Sequence, residues 1–133
     1  MADESLGRAV LVAAEPQLFV ADIAAACGFY AGKLGFTVAF IYGDKPFYAQ
    51  VARDGARLNL RCVAAPPVDP VLREREQWLA ATITVDDVAA LFAEYETAGV
   101  SFYRALDVEE WGARTFVVRD LDGNLILFAG GFE

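Results

Sequence analysis

A tryptophan beside several carboxylates stands late in the chain, in the segment DVEEWG. Trp111 follows Asp107, Glu109 and Glu110 and precedes Gly112. An aromatic face stacks on flat molecules and attracts cations, and nearby carboxylates add long-range attraction for positive charge. The acidic neighbours and the glycine argue against deep burial of the tryptophan. The segment therefore predicts a binding wall for a flat, basic molecule, with a merely solvated acidic loop as the alternative.

Other aromatic side chains could complete such a site. Phe40 and Tyr42 lie in the apolar run FTVAFIY, and Phe47 and Tyr48 follow the turn GDKP. Together with Trp111 they could line a concave surface. Phe40 or Phe47 taken alone is more readily explained as a core residue, because large aromatics dominate protein interiors.

Basic residues complicate the charge of the predicted surface. Lys45 lies in the GDKP turn, and Arg57 and Arg61 lie on the run RLNLRCV. Positive groups here would oppose a strongly cationic ligand and would suit one that carries carboxylates or hydroxyls. The residues alone leave the charge of the ligand open.

Composition excludes several classes of function. The net charge of −8 over 133 residues and the pI of about 4.5 argue against nucleic acid and anionic membranes as partners. No apolar run reaches the length of about 20 residues that spans a membrane, and the start MADESLGRAV does not resemble a signal peptide. Cys27 and Cys62 are too few for a disulfide framework, so we expect a cytoplasmic protein with reduced thiols. The chain has no histidine, and no nucleophile–base pair is evident.

Two segments repeat one plan, FVADIAAACGFYAGKLGF and TVDDVAALFAEYETAGVSF. A shift of 65 residues superimposes Asp22 on Asp87, and each Asp stands at an N-cap position before an amphipathic stripe. A glycine ends each copy, Gly35 in the first and Gly99 in the second, as expected just beyond a helix C-terminus. The repeat therefore predicts two equivalent amphipathic helices.

Strand-like runs surround each predicted helix, so each half of the chain has the pattern βαβββ. Each half closes on a hairpin with an Asp-Gly turn, at residues 54–55 and 122–123. The predicted fold is α+β, a single domain of two βαβββ modules at about residues 14–63 and 78–131, with a linker at about 64–77. We expect the modules to join into a curved, cleft-forming sheet of eight strands with the helices outside. A chance repeat in an ordinary α+β domain is the alternative.

The order and spacing of these motifs resemble the vicinal-oxygen-chelate superfamily. This superfamily contains glyoxalase I, extradiol dioxygenases, fosfomycin-resistance transferases and bleomycin-resistance proteins. The resemblance rests on PQLFVAD before the first helix, FY and KLGF on it, and RDLDGN near the end of the chain. The segments EEWGARTFVVRDLDGN and WLAATITV look most like the bleomycin-resistance branch.

Enzymes of this superfamily hold a divalent metal through His or Glu side chains. The resemblance places the corresponding positions at Glu15, Asn59, Ala80 and Leu127. Glu15 is a good ligand and Asn59 could offer an amide oxygen, but Ala80 and Leu127 offer no ligand atom. Because such sites usually need about three ligands from His, Cys, Asp or Glu, we expect neither a superfamily-type metal site nor another cofactor.

The resemblance implies a function. Bleomycin-resistance proteins bind a cationic glycopeptide drug without changing it, in clefts at a homodimer interface, and Phe40, Tyr48 and Trp111 match positions that contact the drug there. We therefore expect a metal-free, antibiotic-like small-molecule binding homodimer that sequesters a small, flat ligand, cationic if the acids contribute. No catalytic residue is assigned. The predicted ligand-binding residues are Phe40, Tyr42, Phe47, Tyr48, Asn59, Arg61, Glu109, Glu110, Trp111 and Gly112.

Two other classes of function remain open. An enzyme of the same superfamily could have lost or rebuilt its metal site, and metal analysis of the purified protein separates it from a metal-free binder. Alternatively, the paired modules could serve only regulation or scaffolding.

Overall fold

The computed structural model describes residues 7–131 of the chain. It contains eight strands and three helices in this part of the chain. In chain order they are β1 (Gln17–Val20), α1 (Ile23–Gly32), β2 (Thr37–Tyr42), β3 (Tyr48–Arg53), β4 (Ala56–Cys62), α2 (Pro70–Glu76), β5 (Leu79–Thr84), α3 (Val88–Thr97), β6 (Phe102–Val108), β7 (Arg114–Arg119) and β8 (Leu125–Gly130).

The two repeated helices begin and end where the sequence predicts. The carboxylate of Asp22 accepts a hydrogen bond from the backbone N–H of Ala25 at the start of α1, and Asp87 caps α3 in the same way. Gly35 and Gly99 follow the two helices with φ of 75° and 76°. This left-handed conformation is strained for residues with a Cβ, so the glycines let the chain turn into the next strand.

The predicted α+β fold of two βαβββ modules is confirmed. The eight strands are divided between two four-stranded mixed sheets, with the orders β1-β4-β3-β2 and β5-β8-β7-β6. In each sheet the first strand pairs in parallel with the last, and the remaining pairs are antiparallel. The edge strands β1 and β5 are not hydrogen-bonded to each other.

The segment predicted to be a linker contains the helix α2. Asp69 caps this helix through the backbone N–H of Val71, and Pro70 occupies its first turn. The hydroxyl of Tyr103 on β6 donates to the carbonyl of Glu74, and the carboxylate of Glu74 pairs with Arg119 on β7 at 2.9 Å. These contacts fix α2 against the second module.

The two Asp-Gly turns differ. Residues 54–55 form a two-residue turn between β3 and β4, and Asp54 adopts a φ of 52°. The second connection runs over five residues from Asp120 to Asn124 and is organised by the Asp120 carboxylate, which accepts from the N–H groups of Asp122 and Asn124 and from the Asn124 side chain. The second turn is therefore longer than the predicted hairpin.

The modules meet through their helices and turns. The inner faces of α1 and α3 join the inner faces of both sheets in one apolar cluster, in which Tyr30, Tyr95, Phe116 and Phe128 are the largest buried side chains. The Tyr95 hydroxyl donates to the carbonyl of Leu34, across the modules, at 2.8 Å. Because α1 covers one side of the first sheet, the opposite side of that sheet is left open. On the second sheet, Thr115, Val117 and Leu125 are buried on the side opposite α3 as well.

A membrane-crossing helix is not found among residues 7–131, since each helix there is too short or too polar for one.

Candidate functional site

The open side of the first sheet, the side away from α1, gathers most of the predicted binding residues of the first module. Alternate residues of a strand point to opposite sides of a sheet, and the strand register aligns them in rows. Asn59 lies beside Gln17 and Gln50, and Arg61 lies beside Phe19 and Tyr48. We call this surface face A; it carries Gln17, Phe19, Phe40, Tyr42, Tyr48, Gln50, Arg57, Asn59 and Arg61.

Three of the predicted aromatics form a cluster on face A. The ring centroids of Phe40 and Tyr42 are 5.2 Å apart, and those of Phe40 and Tyr48 are 6.1 Å apart with the planes inclined by 28°. The hydroxyl of Tyr48 donates to Oε1 of Gln17 at 3.0 Å, which orients the ring. Tyr42 remains 61% exposed. The cluster therefore offers an accessible stacking surface for a flat molecule.

A row of polar side chains crosses face A beside the aromatic cluster. The side-chain amide of Gln50 donates to Oδ1 of Asn59 at 2.9 Å and to Oε1 of Glu15 at 3.1 Å. The Asn59 amide also points to Glu15, at 3.4 Å, and the guanidinium of Arg57 lies 3.9 Å from the other Glu15 oxygen. Glu15 is thus held by amide donors and one arginine.

The four positions that correspond to metal ligands do not suit a metal ion. Glu15 and Asn59 are engaged with Gln50, and on the second sheet Ala80 and Leu127 present only hydrocarbon to the surroundings. In residues 7–131, no group of three or more His, Cys, Asp and Glu side chains is arranged to hold a metal. Because two of the four positions carry hydrocarbon side chains, too few ligand atoms remain for the sites that divalent transition metals occupy in proteins.

Phe47 lies apart from the aromatic cluster. It immediately precedes β3, so its side chain points away from the side that Tyr48 occupies. A Cβ added at Gly43 would lie 2.7 Å from the Phe47 ring, so this ring packs onto the β2–β3 turn. Gly43 has a φ of 104°, and the turn therefore requires glycine for both its conformation and its contact with Phe47.

The acidic segment of the second module is partly neutralised. We call the side of the second sheet away from α3 face B; it carries Arg104, Thr115 and the end of the acidic segment at Glu109. There Oε2 of Glu109 accepts from Nη1 of Arg104 at 2.9 Å and from the Thr115 hydroxyl at 2.6 Å. The hydrogen bond from Thr115, followed by that from Arg104, holds the pKa of Glu109 below its ordinary value. Arg104 and Thr115 are contacts that the sequence did not single out.

Trp111 lies on the β6–β7 connection and is 68% exposed. Glu110 beside it is also exposed, and Gly112 turns the chain with a φ of 95°. The predicted residues therefore form two groups within one chain. Phe40, Tyr42, Tyr48, Asn59 and Arg61 lie on face A, and Glu109, Glu110, Trp111 and Gly112 belong to the second module.

A cavity of about 670 Å³ lies between the modules, apart from both groups. Leu58, Leu91 and Phe128 contribute to its apolar lining, and Arg53 and Glu94 stand among its charged residues. None of the ten predicted binding residues borders it. Ala14 and Pro16, just before β1, also line this cavity, which places it next to the start of the N-terminal segment.

Comparison with known proteins identifies the family. Residues 10–128 match the Glyoxalase family, described as the Glyoxalase/Bleomycin resistance protein/Dioxygenase superfamily. No curated protein matches the chain.

Several solved structures share the fold. A bleomycin-binding protein from the bleomycin producer Streptomyces verticillus, solved with copper(II)-bleomycin, has a TM-score of 0.71 and 28% identity, covering 93% of this chain and 99% of that one. A glyoxalase/bleomycin resistance protein/dioxygenase from Alicyclobacillus acidocaldarius has a TM-score of 0.75 and 24% identity over 92% and 93% of the two chains. The bleomycin resistance determinant of transposon Tn5 has a TM-score of 0.73 and 20% identity over 90% and 97%.

Proposed function

Because the chain belongs to the glyoxalase/bleomycin resistance protein/dioxygenase superfamily, we propose that it binds a flat, antibiotic-like small molecule and protects by sequestration. The observation that carries this proposal is the aromatic cluster of Phe40, Tyr42 and Tyr48 on an open sheet face. Clusters of this kind bind flat molecules by stacking. Structural similarity to bleomycin-binding proteins, one of them 28% identical, supports a binding role.

The polar groups of face A favour binding over catalysis. Glu15 is the single strong ligand among the four metal positions, and its carboxylate is occupied by Gln50 and Asn59. An enzyme that had rebuilt its site would need a base or nucleophile directed into the cleft. Asn59 and Gln50 are amides, which recognise polar groups of a ligand but transfer no protons at neutral pH.

We further propose that the protein acts as a homodimer. Face A and face B belong to different sheets, and within residues 7–131 of one chain the ring contacts of the aromatic cluster do not include Trp111. A two-fold dimer in which face A of one copy meets face B of the other would create two equivalent clefts. Each cleft would then contain the aromatic cluster from one chain and Trp111 from its partner.

The N-terminal segment supports the dimer. Residues 7–14, which we call the arm, contain no helix or strand, and Val10, Leu11 and Val12 are 77%, 97% and 87% exposed. Three consecutive exposed aliphatic side chains are an unusual feature for a free monomer.

We also propose a cytoplasmic location for the protein. Cys27 and Cys62 are free thiols, which is compatible with that location.

The proposal is tested by ligand binding and recovery. A thermal-shift screen of flat aromatic antibiotics should find a stabilising compound, since a ligand at 100 times its Kd stabilises the fold by about 2.7 kcal/mol. The compound should then be released from the protein, and mass spectrometry should show that its mass is unchanged. Tyr42→Ala should weaken binding, whereas Phe47→Ala, a similarly exposed aromatic outside the cluster, should not. Turnover of the compound would establish the enzyme instead, and equal effects of the two substitutions would remove the aromatic cluster from the site.

A further inference from the structure

The charges of face A do not follow the charge of the whole chain. The protein carries a net charge of −8, yet the charged side chains directed onto face A and its edge within residues 7–131 are Glu15, Arg57 and Arg61. Their formal charges are −1, +1 and +1, so this surface has a net charge of +1. Charges elsewhere on the surface are screened beyond about 8–10 Å at physiological salt, so the local groups dominate contacts with a bound molecule.

The opposite charges of Glu15 and Arg57 offset each other, so the remaining positive charge of face A lies on Arg61. The Glu15 carboxylate is 3.9 Å from the Arg57 guanidinium and accepts two amide hydrogen bonds. For Arg61, no carboxylate of residues 7–131 lies within 4.0 Å, and its side chain is exposed. Within the described residues its five N–H donors are therefore available to an acceptor from outside the chain.

Arg61 stands beside the stacking surface. The strand register places it between Phe19 on β1 and Tyr48 on β3, and Tyr48 in turn stacks with Phe40. Arg57 lies four residues earlier on the same side of β4, about 13 Å away along the strand. A flat ring that covers Tyr48 and Phe40 would bring a substituent on its edge to Arg61 and keep it away from Arg57.

We propose that face A selects a flat ligand carrying an anionic group, a carboxylate or an equivalent oxyanion, and that Arg61 is the residue that binds this group. A guanidinium forms two parallel hydrogen bonds with a carboxylate, which fixes both the position and the orientation of the ligand. The inference rests on the proposed binding function and names its ligand class. It also revises the expectation of a cationic ligand. The Glu109 carboxylate on face B is paired with Arg104, which leaves Glu110 as the exposed acid directly beside Trp111.

Three planar probes of nearly equal shape test this inference, namely 2-naphthoate, 2-naphthamide and 2-naphthamidinium. Calorimetric titration of the full-length protein should show 2-naphthoate binding more tightly than the neutral amide and the cation. Arg61→Gln should weaken 2-naphthoate by about ten- to hundred-fold, the effect of losing a charged hydrogen-bond pair, and should change 2-naphthamide less than about two-fold. Arg61→Lys should retain part of the preference for 2-naphthoate over the neutral amide. Arg75→Gln is the matched control, because Arg75 is an exposed arginine on α2 whose ion-pair partner among residues 7–131 is its neighbour Glu76.

The outcomes separate this inference from the proposed function. If the cation or the amide binds as well as 2-naphthoate and Arg61→Gln has no effect on the ratio, the anion selectivity is wrong while the binding cleft stands. If none of the three probes binds at millimolar concentration, the stacking site fails as well. If Arg61→Gln dissociates the dimer in sedimentation without changing the ratio, Arg61 belongs to the subunit contact, and the selectivity is again wrong.

Discussion

The hydroxyl of Tyr30 on α1 donates a hydrogen bond of 2.7 Å to the Asp120 carboxylate in the turn after β7, and both side chains are buried. This contact joins the two modules across 90 residues of sequence. Asn124 donates from its side chain to the carbonyl of Phe19, and the Asp122 carboxylate accepts from the N–H of Ala21. The motif RDLDGN therefore fastens the second module to the β1–α1 junction and does not belong to the candidate site.

Tyr30→Phe should destabilise the protein by about 1–3 kcal/mol, the cost of leaving a buried polar group with one partner fewer. Asp120 keeps its bonds from Asp122 and Asn124, so the protein should still fold. Urea unfolding followed by far-UV circular dichroism measures the change. Tyr103→Phe, which removes a part-buried hydroxyl that bonds α2 within the second module, should cost less. An equal or larger loss for Tyr103→Phe would contradict the assigned importance of the contact between modules.

The two repeated helices are predicted well from the sequence because the signals that start them are local. Asp22 and Asp87 cap their helices through the N–H three residues later, a contact that depends on no distant part of the chain. The same kind of signal exists for α2, where Asp69 and Pro70 form an N-cap and a first helical turn, but proline and charge in the surrounding segment obscure it.

Pairings between strands were harder to predict. Arg104 reaches Glu109 because the register of β6 against β7 shifts between Phe102 and Arg104 and again before Asp107. A bulge changes which side chains share a face, and its position is not encoded by the alternation of polar and apolar residues. The sequence therefore indicated the acids beside Trp111, but it did not indicate that Arg104 pairs with Glu109.

The ion pair between Arg53 and Glu94 should make stability depend on pH. Its two parallel hydrogen bonds, of 2.8 and 2.9 Å, join β3 to α3, and the pKa of Glu94 is lowered chiefly by hydrogen bonding to Arg53. A carboxyl with a depressed folded-state pKa stabilises the fold above its unfolded pKa, and this contribution is lost as pH falls through the folded-state value. Because both side chains are partly exposed, the effect should stay below about 1 kcal/mol.

Unfolding free energies measured between neutral pH and pH 3 test this expectation. Glu94→Gln should lower stability near neutral pH and reduce the acid-dependent loss, so that the two proteins converge at low pH. Glu96→Gln is the control, since Glu96 is exposed on the same helix and its side chain forms no ion pair within residues 7–131. The pair has no measurable role if Glu94→Gln and Glu96→Gln give the same pH profile.

The arm should contribute to dimerisation. Leu11 is 97% exposed within one chain, so Leu11→Asp should leave the folding of an isolated chain nearly unchanged. If a second copy covers the arm, the substitution places a charge in an apolar contact and should shift the protein toward the 14.4 kDa monomer. Sedimentation equilibrium at micromolar concentration measures the shift. Val71→Asp is the control, because Val71 is an aliphatic residue that is 73% exposed and lies on α2, outside the arm. A wild-type protein that sediments as a monomer would overturn the proposed dimer.

Trp111 should report ligand binding directly. The chain has two tryptophans, so the experiment uses a Trp78→Phe background in which Trp111 is the single indole. A flat ligand that stacks on it should quench or shift its fluorescence, and Trp111→Ala should weaken binding by about 1–3 kcal/mol, the usual effect of removing one stacking aromatic. Because the side chain is 68% exposed, Trp111→Ala should change the unfolding free energy by less than about 0.5 kcal/mol. Loss of about 3–5 kcal/mol would instead indicate a buried indole, and unchanged fluorescence at saturating ligand would place the site away from Trp111.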